Sequence, residues 1–294
     1  MMKTPGMTWH HRLSAALVLG AALALSAQAM AAPERIVSAD GALTEIVHAL
    51  GEGERLVGVD TTSQYPQEVT ELPQIGYKRA LSVEGVLSLE PDLLLMTDDA
   101  GPDTAVRQLD HSGLETVTFA TDPTLEAVKG KVLGVAELLG KPEAGQALWE
   151  SIHADVEAAR VASDSLNEPL RVLFVLGLND RSPLVGGLNT EADTMIRLAG
   201  GVNVIESFEG YKPISPEAIA MTRADVVLMM ERDEHATSAA ELFEKPGFAA
   251  LPAAEDERLL KQKGTLLLGF GPRIGEAIGW LNDALYAPEN DDAR

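Results

Sequence analysis

GYKRALSVEGVLSLEPDLLLM at residues 76–96 and GYKPISPEAIAMTRADVVLMM at residues 210–230 are nearly the same sequence written twice. In each copy a Gly-Tyr-Lys triplet precedes a serine, an acid two positions later and an apolar run containing Leu-Met. The serine predicts a helix N-cap, and the apolar run predicts a buried strand. Each copy therefore predicts a loop, a helix and a strand, with the tyrosine in the loop. Such a repeat is either a remnant of duplication or a way to set two equivalent loops opposite each other.

The rest of the chain alternates short apolar runs with longer helical patterns. The predicted strands are residues 35–40, 55–60, 92–96 and 115–119, followed by 171–176, 202–205, 225–230 and 258–262. Strands that alternate with helices are typical of parallel sheets. The sequence predicts an α/β protein with two Rossmann-like lobes, each built on a parallel sheet.

A single long helix is predicted between the lobes. Apolar residues recur at the spacing of one helix face, at Ala144, Leu148, Ile152, Val156 and Ala159. The predicted organisation is a first lobe over residues 33–140, a connecting helix over 141–166 and a second lobe over 167–294. Because a helix is a stiff spacer, we expect only modest movement between the lobes.

The N-terminus has the pattern of a secretory signal peptide over residues 1–32. Lys3 and Arg12 precede or border an apolar run at 13–25, and small residues follow it. An uncleaved anchor is the alternative, but the run is shorter than the roughly 20 residues that span a bilayer. The chain has no cysteine, which excludes disulfides, thiolate metal sites and lipidation of an N-terminal cysteine. We expect a protein free in the periplasm, without membrane insertion.

Charge and motifs narrow the classes of function. The formal net charge of −22 opposes binding to nucleic acid or anionic lipid. The sequence contains none of the common signatures of hydrolases, zinc proteases or nucleotide-binding enzymes. A binding protein and an α/β enzyme are the rival classes, and none of these signatures supports the enzyme.

The two tyrosines are the strongest candidates for a binding site. Loops at the carboxyl ends of parallel strands form the ligand crevice of α/β proteins, so Tyr77 and Tyr211 are expected on opposite walls of one cleft. In the alternative, each ring only packs beneath its loop. Lys78 and Arg79 follow Tyr77 directly, and positive charge favours a phenolate, which binds Fe(III) and serves as an axial ligand of haem.

These motifs, together with LLLGFGPR at residues 266–273, resemble the periplasmic haem-binding proteins of bacterial haem ABC importers. The resemblance covers about residues 34–286 and implies two lobes joined by one rigid helix. It implies that ferric haem is the transported ligand, that Tyr77 is its axial ligand, and that Arg79 lies near the iron-bound oxygen or a propionate. It further implies an inner-membrane ABC permease with its ATPase as partners, an outer-membrane haem receptor upstream, and a monomer.

Further haem contacts are expected from basic and aromatic residues of both lobes. They are Lys78, Arg79, Tyr211, Arg232 and Arg273. Arg273 precedes a predicted helix, which suits a propionate, although a plain surface arginine is the alternative. His235 is the only histidine predicted in the second lobe, and it is either a second axial ligand or a solvated loop residue.

The paired acids Glu84 and Glu217 have two interpretations. Each acid can simply stabilise the positive end of its helix. The resemblance implies instead that each docks onto arginines of the permease, and their equivalence under the repeat suits a permease of two like subunits. Other ligands remain open, namely a ferric siderophore, cobalamin or a bare metal ion, although the histidines at 48, 111, 153 and 235 are scattered. Because only the first copy follows its tyrosine with Lys-Arg, the iron is assigned to Tyr77.

Overall fold

A computed structural model describes residues 32–164, 168–178, 182–231 and 237–286. From Pro33 onward the described residues belong to one compact unit. The predicted signal peptide, except for Ala32, lies outside the described residues, as do Arg232 and His235. None of the helices in the described ranges is both long and apolar enough to cross a membrane.

The first lobe is built on a four-stranded parallel sheet. Its strands, in spatial order, are β2 (Leu56–Val59), β1 (Ile36–Ala39), β5 (Leu93–Thr97) and β6 (Glu115–Phe119). Strands β1 and β5 are buried along their whole length because helices cover both faces, which explains their continuous apolar sequence. All four predicted strands are confirmed to within one residue at each end.

A separate antiparallel hairpin and four helices complete this lobe. The hairpin pairs β3 (Gly76–Tyr77) with β4 (Ala80–Leu81), and the helices are α1 (Gly41–Ala49), α2 (Val83–Leu87), α3 (Asp103–His111) and α4 (Leu125–Leu138). Short 3-10 turns occupy Gly53–Arg55 and Gln67–Glu71. The hairpin carries the tyrosine of the first repeat.

The second lobe has a mixed sheet with a parallel centre. Its strands are β7 (Arg171–Gly177), β8 (Leu184–Gly186), β9 (Val202–Asn203), β10 (Tyr211–Pro213), β11 (Val226–Glu231) and β12 (Leu259–Lys263). β7, β11 and β12 are parallel neighbours, and β9 is parallel to β7. The antiparallel strands β8 and β10 were not expected from the sequence. The predicted strand at 202–205 is shorter than expected because the Asn203 side chain accepts the Ile205 N–H.

Helices surround this sheet and join the lobes. They are α5 (Pro142–Asp164), α6 (Glu191–Leu198), α7 (Pro216–Thr222), α8 (Ala239–Phe243), α9 (Gly264–Leu267) and α10 (Ile274–Tyr286), with 3-10 turns at Phe248–Ala250 and Pro252–Ala254. In both sheets the first strand along the chain lies between the second and third parallel strands, so β5 and β11 occupy equivalent places. The sequence repeat is therefore also a repeat of topology.

The long helix α5 is present, but its buried face begins one residue later than predicted. Ile152 and Val156 are buried as expected, whereas Ala144 is exposed and Gly145 is buried in its place. A Cβ on Gly145 would lie 2.2 Å from the Cβ of Ala136 in α4, so only glycine permits this close crossing of the two helices. The lobe boundaries at 140 and 166 stay a prediction.

One apolar core connects the two sheets. The largest buried cluster runs from β1 and β5 through α4, α5 and α10 to β7 and β11. The two lobes are therefore packed together along the side that these helices occupy.

Candidate functional site

The hairpin that carries Tyr77 is fixed by backbone bonds to its first strand and to its turn. Tyr77 pairs with Ala80, so Lys78 and Arg79 form the turn. The Thr61 N–H donates to the Gly76 carbonyl at 3.0 Å, and the Gly101 N–H donates to the Lys78 carbonyl at 2.9 Å. The Tyr77 backbone is consequently held in place before any ligand binds.

Three aspartates at the carboxyl ends of strands lie beneath this hairpin. Asp40 and Asp60 follow β1 and β2 directly, and Asp99 is the second residue after β5. The Lys78 N–H donates to Asp60 Oδ2 at 3.3 Å, and Lys78 Nζ lies 2.9 Å from Asp40 Oδ2 and 3.0 Å from Asp99 Oδ1. The hairpin is thus attached to the carboxyl edge of the sheet, where the ligand crevice was predicted.

Lys78 anchors the hairpin rather than projecting into solvent. Its side chain is only 15% exposed. Burial alone would lower the pKa of Lys78, but the carboxylates of Asp40 and Asp99 outweigh burial and raise this pKa. Because both carboxylates already hold the ammonium group, the structure gives Lys78 a positioning role, and its predicted contact with a propionate stays a prediction.

Arg79 forms a forked pair with Asp99 while remaining more than half exposed. Arg79 Nε and Nη2 lie 3.0 and 2.6 Å from Asp99 Oδ2. The hydrogen bond to Asp99 is the largest cause that raises the pKa of Arg79, and the charges of Tyr77 and Glu191 contribute. Glu191 begins α6 of the second lobe, so the charge of Arg79 also interacts with the opposite lobe.

Tyr77 does not pack its ring beneath the loop. The residue is 42% exposed, which is unusual for a large aromatic side chain. Its hydroxyl makes no hydrogen bond to any of the described residues. The phenol oxygen therefore has no partner in the described part of the protein, whereas a tyrosine that only stabilises its loop would be expected to bond to that loop.

Tyr211 has the opposite environment. Its hydroxyl donates to Glu191 Oε2 at 2.8 Å, and its half-buried ring lies 6.2 Å from the ring of Phe174. Burial, followed by the charge and the hydrogen bond of Glu191, raises the pKa of Tyr211 far above its ordinary value. Tyr211 is therefore held as a neutral phenol, so the two copies of the repeat differ in their chemistry.

Arg273 connects the lobes instead of pointing freely into the cleft. Its Nε and Nη2 lie 2.9 and 2.6 Å from the two carboxylate oxygens of Glu45 on α1, and its guanidinium carbon lies 3.9 Å from the ring centre of Tyr65. A Cβ on Gly271 would come within 3.0 Å of the Ala42 Cβ, so the two lobes meet closely here. Burial raises the pKa of Glu45 even though Arg273 opposes that shift. A propionate at Arg273 stays a prediction, and the arginine already has a carboxylate partner.

The two predicted docking acids lie in equivalent first turns. Ser82 and Ser215 accept the N–H groups of Gly85 and Ala218 at 3.0 and 3.3 Å, which confirms both predicted N-caps. Glu84 and Glu217 follow these caps, and both are exposed. The hydrogen bond to Ser215 lowers the pKa of Glu217. Both acids are thus exposed surface groups at matching places of the repeat.

One buried cation was not predicted from the sequence. Lys131 lies in the middle of α4 and is only 4% exposed. The sequence signal was present, because Val128, Val132 and Val135 share its helix face and a lysine interrupts their apolar stripe.

Comparisons with known proteins identify the family to which this fold belongs. The profile of the family described as periplasmic binding protein matches residues 36–263. The chain belongs to this family. Because the family and the solved neighbours are binding proteins, this periplasmic binding protein is not an enzyme.

Solved structures similar to this binding protein carry haem in their names. The chain is 38% identical to the periplasmic haem-binding protein RhuT from Roseiflexus sp. RS-1 in its apo form, with a TM-score of 0.82 over 86% of this chain and 98% of that one. It is 42% identical to the periplasmic haem-binding protein BhuT in complex with two haems, with a TM-score of 0.81 over 86% and 99% of the two chains. The resemblance to periplasmic haem-binding proteins is confirmed.

A relative with another ligand in its name is also similar. The vitamin B12-binding protein of Vibrio cholerae is 26% identical over 246 residues, which is 83% of this chain and 86% of that protein.

Proposed function

We propose that this periplasmic binding protein captures ferric haem in the cleft between its lobes through Tyr77. The observation that carries the proposal is the contrast between the tyrosines. Tyr77 is an exposed residue on a fixed hairpin, and its hydroxyl has no hydrogen-bond partner among the described residues, whereas the hydroxyl of Tyr211 is bonded to Glu191. The haem-binding proteins RhuT and BhuT support the same ligand.

Capture requires one proton transfer and no redox step. The hydroxyl of Tyr77 loses its proton to water as its oxygen bonds to Fe(III), and the anionic oxygen is a hard ligand suited to the ferric ion. Arg79 favours this negative charge, since its guanidinium group is held near Tyr77 by Asp99. Lys78 contributes by fixing the turn, so the phenol is positioned before haem arrives.

Delivery is proposed to an ABC permease in the inner membrane. Membership of the family implies a permease and an ATPase as partners. Glu84 and Glu217 are exposed and equivalent within the repeat, which suits arginines on two like permease subunits. The signal pattern at residues 1–32 and the absence of cysteine from the sequence support a protein exported to the periplasm without a lipid anchor.

Cobalamin is the second candidate ligand. The similarity to the vitamin B12-binding protein favours it, and such a ligand would occupy the same interlobe cleft. Cobalamin carries its own cobalt and does not need a phenolate from the protein, so Tyr77 separates the two candidates.

Titration with haemin tests the proposal. The purified protein should develop the spectrum of a high-spin ferric tyrosinate, Tyr77→Phe should abolish that spectrum, and the matched variant Tyr211→Phe should keep it. A haemin spectrum that the wild-type protein leaves unchanged, with a response to cyanocobalamin instead, would replace haem by cobalamin. If the tyrosinate spectrum persists in Tyr77→Phe and disappears in Tyr211→Phe, the iron has been assigned to the wrong tyrosine.

A further inference from the structure

Lys131 is a buried amine that none of the described groups neutralises by direct contact. Its carbon chain lies in an apolar layer, with Val128, Val132 and Val135 of the same helix fully buried. Among the described residues the Lys131 side chain has no hydrogen-bond partner, and no carboxylate lies within ion-pair distance of its Nζ. Buried charges are usually paired, so an unpaired lysine in this position is exceptional.

The amine nevertheless reaches accessible space. Throughout the described part of the chain, each side-chain nitrogen or oxygen that is fully buried has a hydrogen-bond partner. Because Lys131 has none, its Nζ is not fully enclosed, although the residue as a whole is 96% covered. The side chain therefore extends through the apolar layer and exposes only its tip, as long basic side chains often do.

The surroundings of the Lys131 amine include charged groups from both lobes. The charge of Lys131 interacts with those of Asp40 and Asp99 beneath the Tyr77 hairpin and of Lys78 in its turn. It also interacts with Glu191, which holds Tyr211 in the opposite lobe. Burial is the largest influence on Lys131 and lowers its pKa. Helix α4 packs against α1, whose N-cap is Asp40, so the amine lies near the carboxyl edge of the first sheet, where the Tyr77 hairpin is attached.

Most other cations around this space are already engaged by carboxylates of the protein. Lys78 contacts Asp40 and Asp99, and Arg79 contacts Asp99. Arg273 is held in the same way by Glu45. Among the described cleft cations with these carboxylate neighbours, Lys131 alone lacks a direct partner, so an anionic ligand group can pair with it without displacing a protein carboxylate.

We propose that Lys131 binds a carboxylate of the ligand at the base of the cleft, and that this group is a propionate when the ligand is haem. The inference rests on the proposed function. An ammonium group that is desolvated but unpaired gains a charge-assisted hydrogen bond when a carboxylate arrives. The two negative charges of haem would then be met unequally, one by Lys131 and the other nearer the cleft entrance.

Haemin and its dimethyl ester, in which both carboxylates are blocked, test this assignment. Lys131→Met should weaken haemin binding roughly tenfold to a hundredfold, the loss expected for one hydrogen bond to a charged group. The same variant should bind the ester about as well as the wild-type protein does. Lys129→Met is the matched control, because Lys129 is on the same helix but lies over the Trp149 ring, and it should leave both affinities unchanged.

The outcomes separate this inference from the proposed function. Equal weakening of haemin and ester by Lys131→Met would overturn the carboxylate contact, since it would indicate a change in cleft shape. Unchanged haemin binding in Lys131→Met would overturn it as well, while the tyrosinate spectrum would leave the proposed function standing. If the wild-type protein binds neither porphyrin, both proposals fail. Thermal unfolding of each variant, followed by circular dichroism, verifies that a loss of binding does not reflect a loss of fold.

Discussion

Replacing Arg273 by methionine should destabilise the protein by about 3 kcal/mol, because it leaves the buried carboxylate of Glu45 without its partner. Glu45 is 8% exposed, and both of its oxygens are bonded to Arg273 at 2.6 and 2.9 Å. Removing one partner of a buried ion pair usually costs about 3–5 kcal/mol. The lower end of this range applies here, because the Arg273 side chain is 19% exposed. Loss of the stacking on Tyr65 adds up to about 1 kcal/mol.

Urea unfolding, followed by circular dichroism, measures this effect as a lower midpoint at an unchanged slope. The double variant Glu45→Met, Arg273→Met should recover most of the stability, since two packed apolar side chains replace a buried ion pair at little cost. A double variant that is no more stable than Arg273→Met alone would refute the claim that the unpaired carboxylate causes the loss.

The effect should also depend on pH in a defined direction. The folded pKa of Glu45 is already raised above its ordinary 4.5 by burial, and Arg273 holds this pKa down. In Arg273→Met the folded pKa rises further, so the folded state binds a proton that the unfolded state releases. The loss of stability is therefore complete above the folded pKa and shrinks as pH falls towards 4.5. An equal loss across that window would contradict the mechanism.

Two glycines of α10 differ in the space around them. Gly275→Ala should lower the stability of the protein by about 1–3 kcal/mol, because the new Cβ would lie 2.5 Å from the Asp155 Cβ of α5. Gly279→Ala, where nothing lies within 4 Å, should stabilise by about 0.5–1 kcal/mol, and thermal unfolding that ranks the two variants otherwise would contradict this helix packing. Glu84→Lys and Glu217→Lys should each reduce stimulation of the transporter ATPase in proteoliposomes while the haemin spectrum stays that of the wild type. The same charge reversal at the exposed Glu115 should leave stimulation intact, and equal losses at all three positions would point to net charge rather than docking.

The strands were predictable because burial on both faces requires continuous apolar runs. β1, β5, β7 and β11 illustrate this, and the capping serines at 82 and 215 likewise act on neighbours three residues away. Strands β8 and β10 were not predicted. Each has only three residues, and its extended conformation depends on pairing with a neighbouring strand, β7 for β8 and β8 for β10.

The candidate residues of the site could be predicted from the sequence, but their partners in the fold could not. Tyr77 and the contrast between the two copies of the repeat were visible in the sequence, but the partners of the basic residues were not. Lys78 pairs with Asp40, 38 positions earlier, and Arg273 pairs with Glu45 across 228 positions. No local pattern records such pairings, so both cations were interpreted as ligand contacts.

The apolar core that continues from one sheet to the other has a kinetic consequence. A cleft whose walls share a core cannot close far over its ligand, so we expect binding without a slow conformational step. Differences in affinity between ligands, or between variants of the cleft, should then appear mainly as differences in dissociation rate. The function of such a carrier depends on the residence time of its ligand, which is measured by transfer of haem to an excess of an acceptor protein. An external partner that shortens this residence time must deform the protein, and the stiffness of the shared core sets how far.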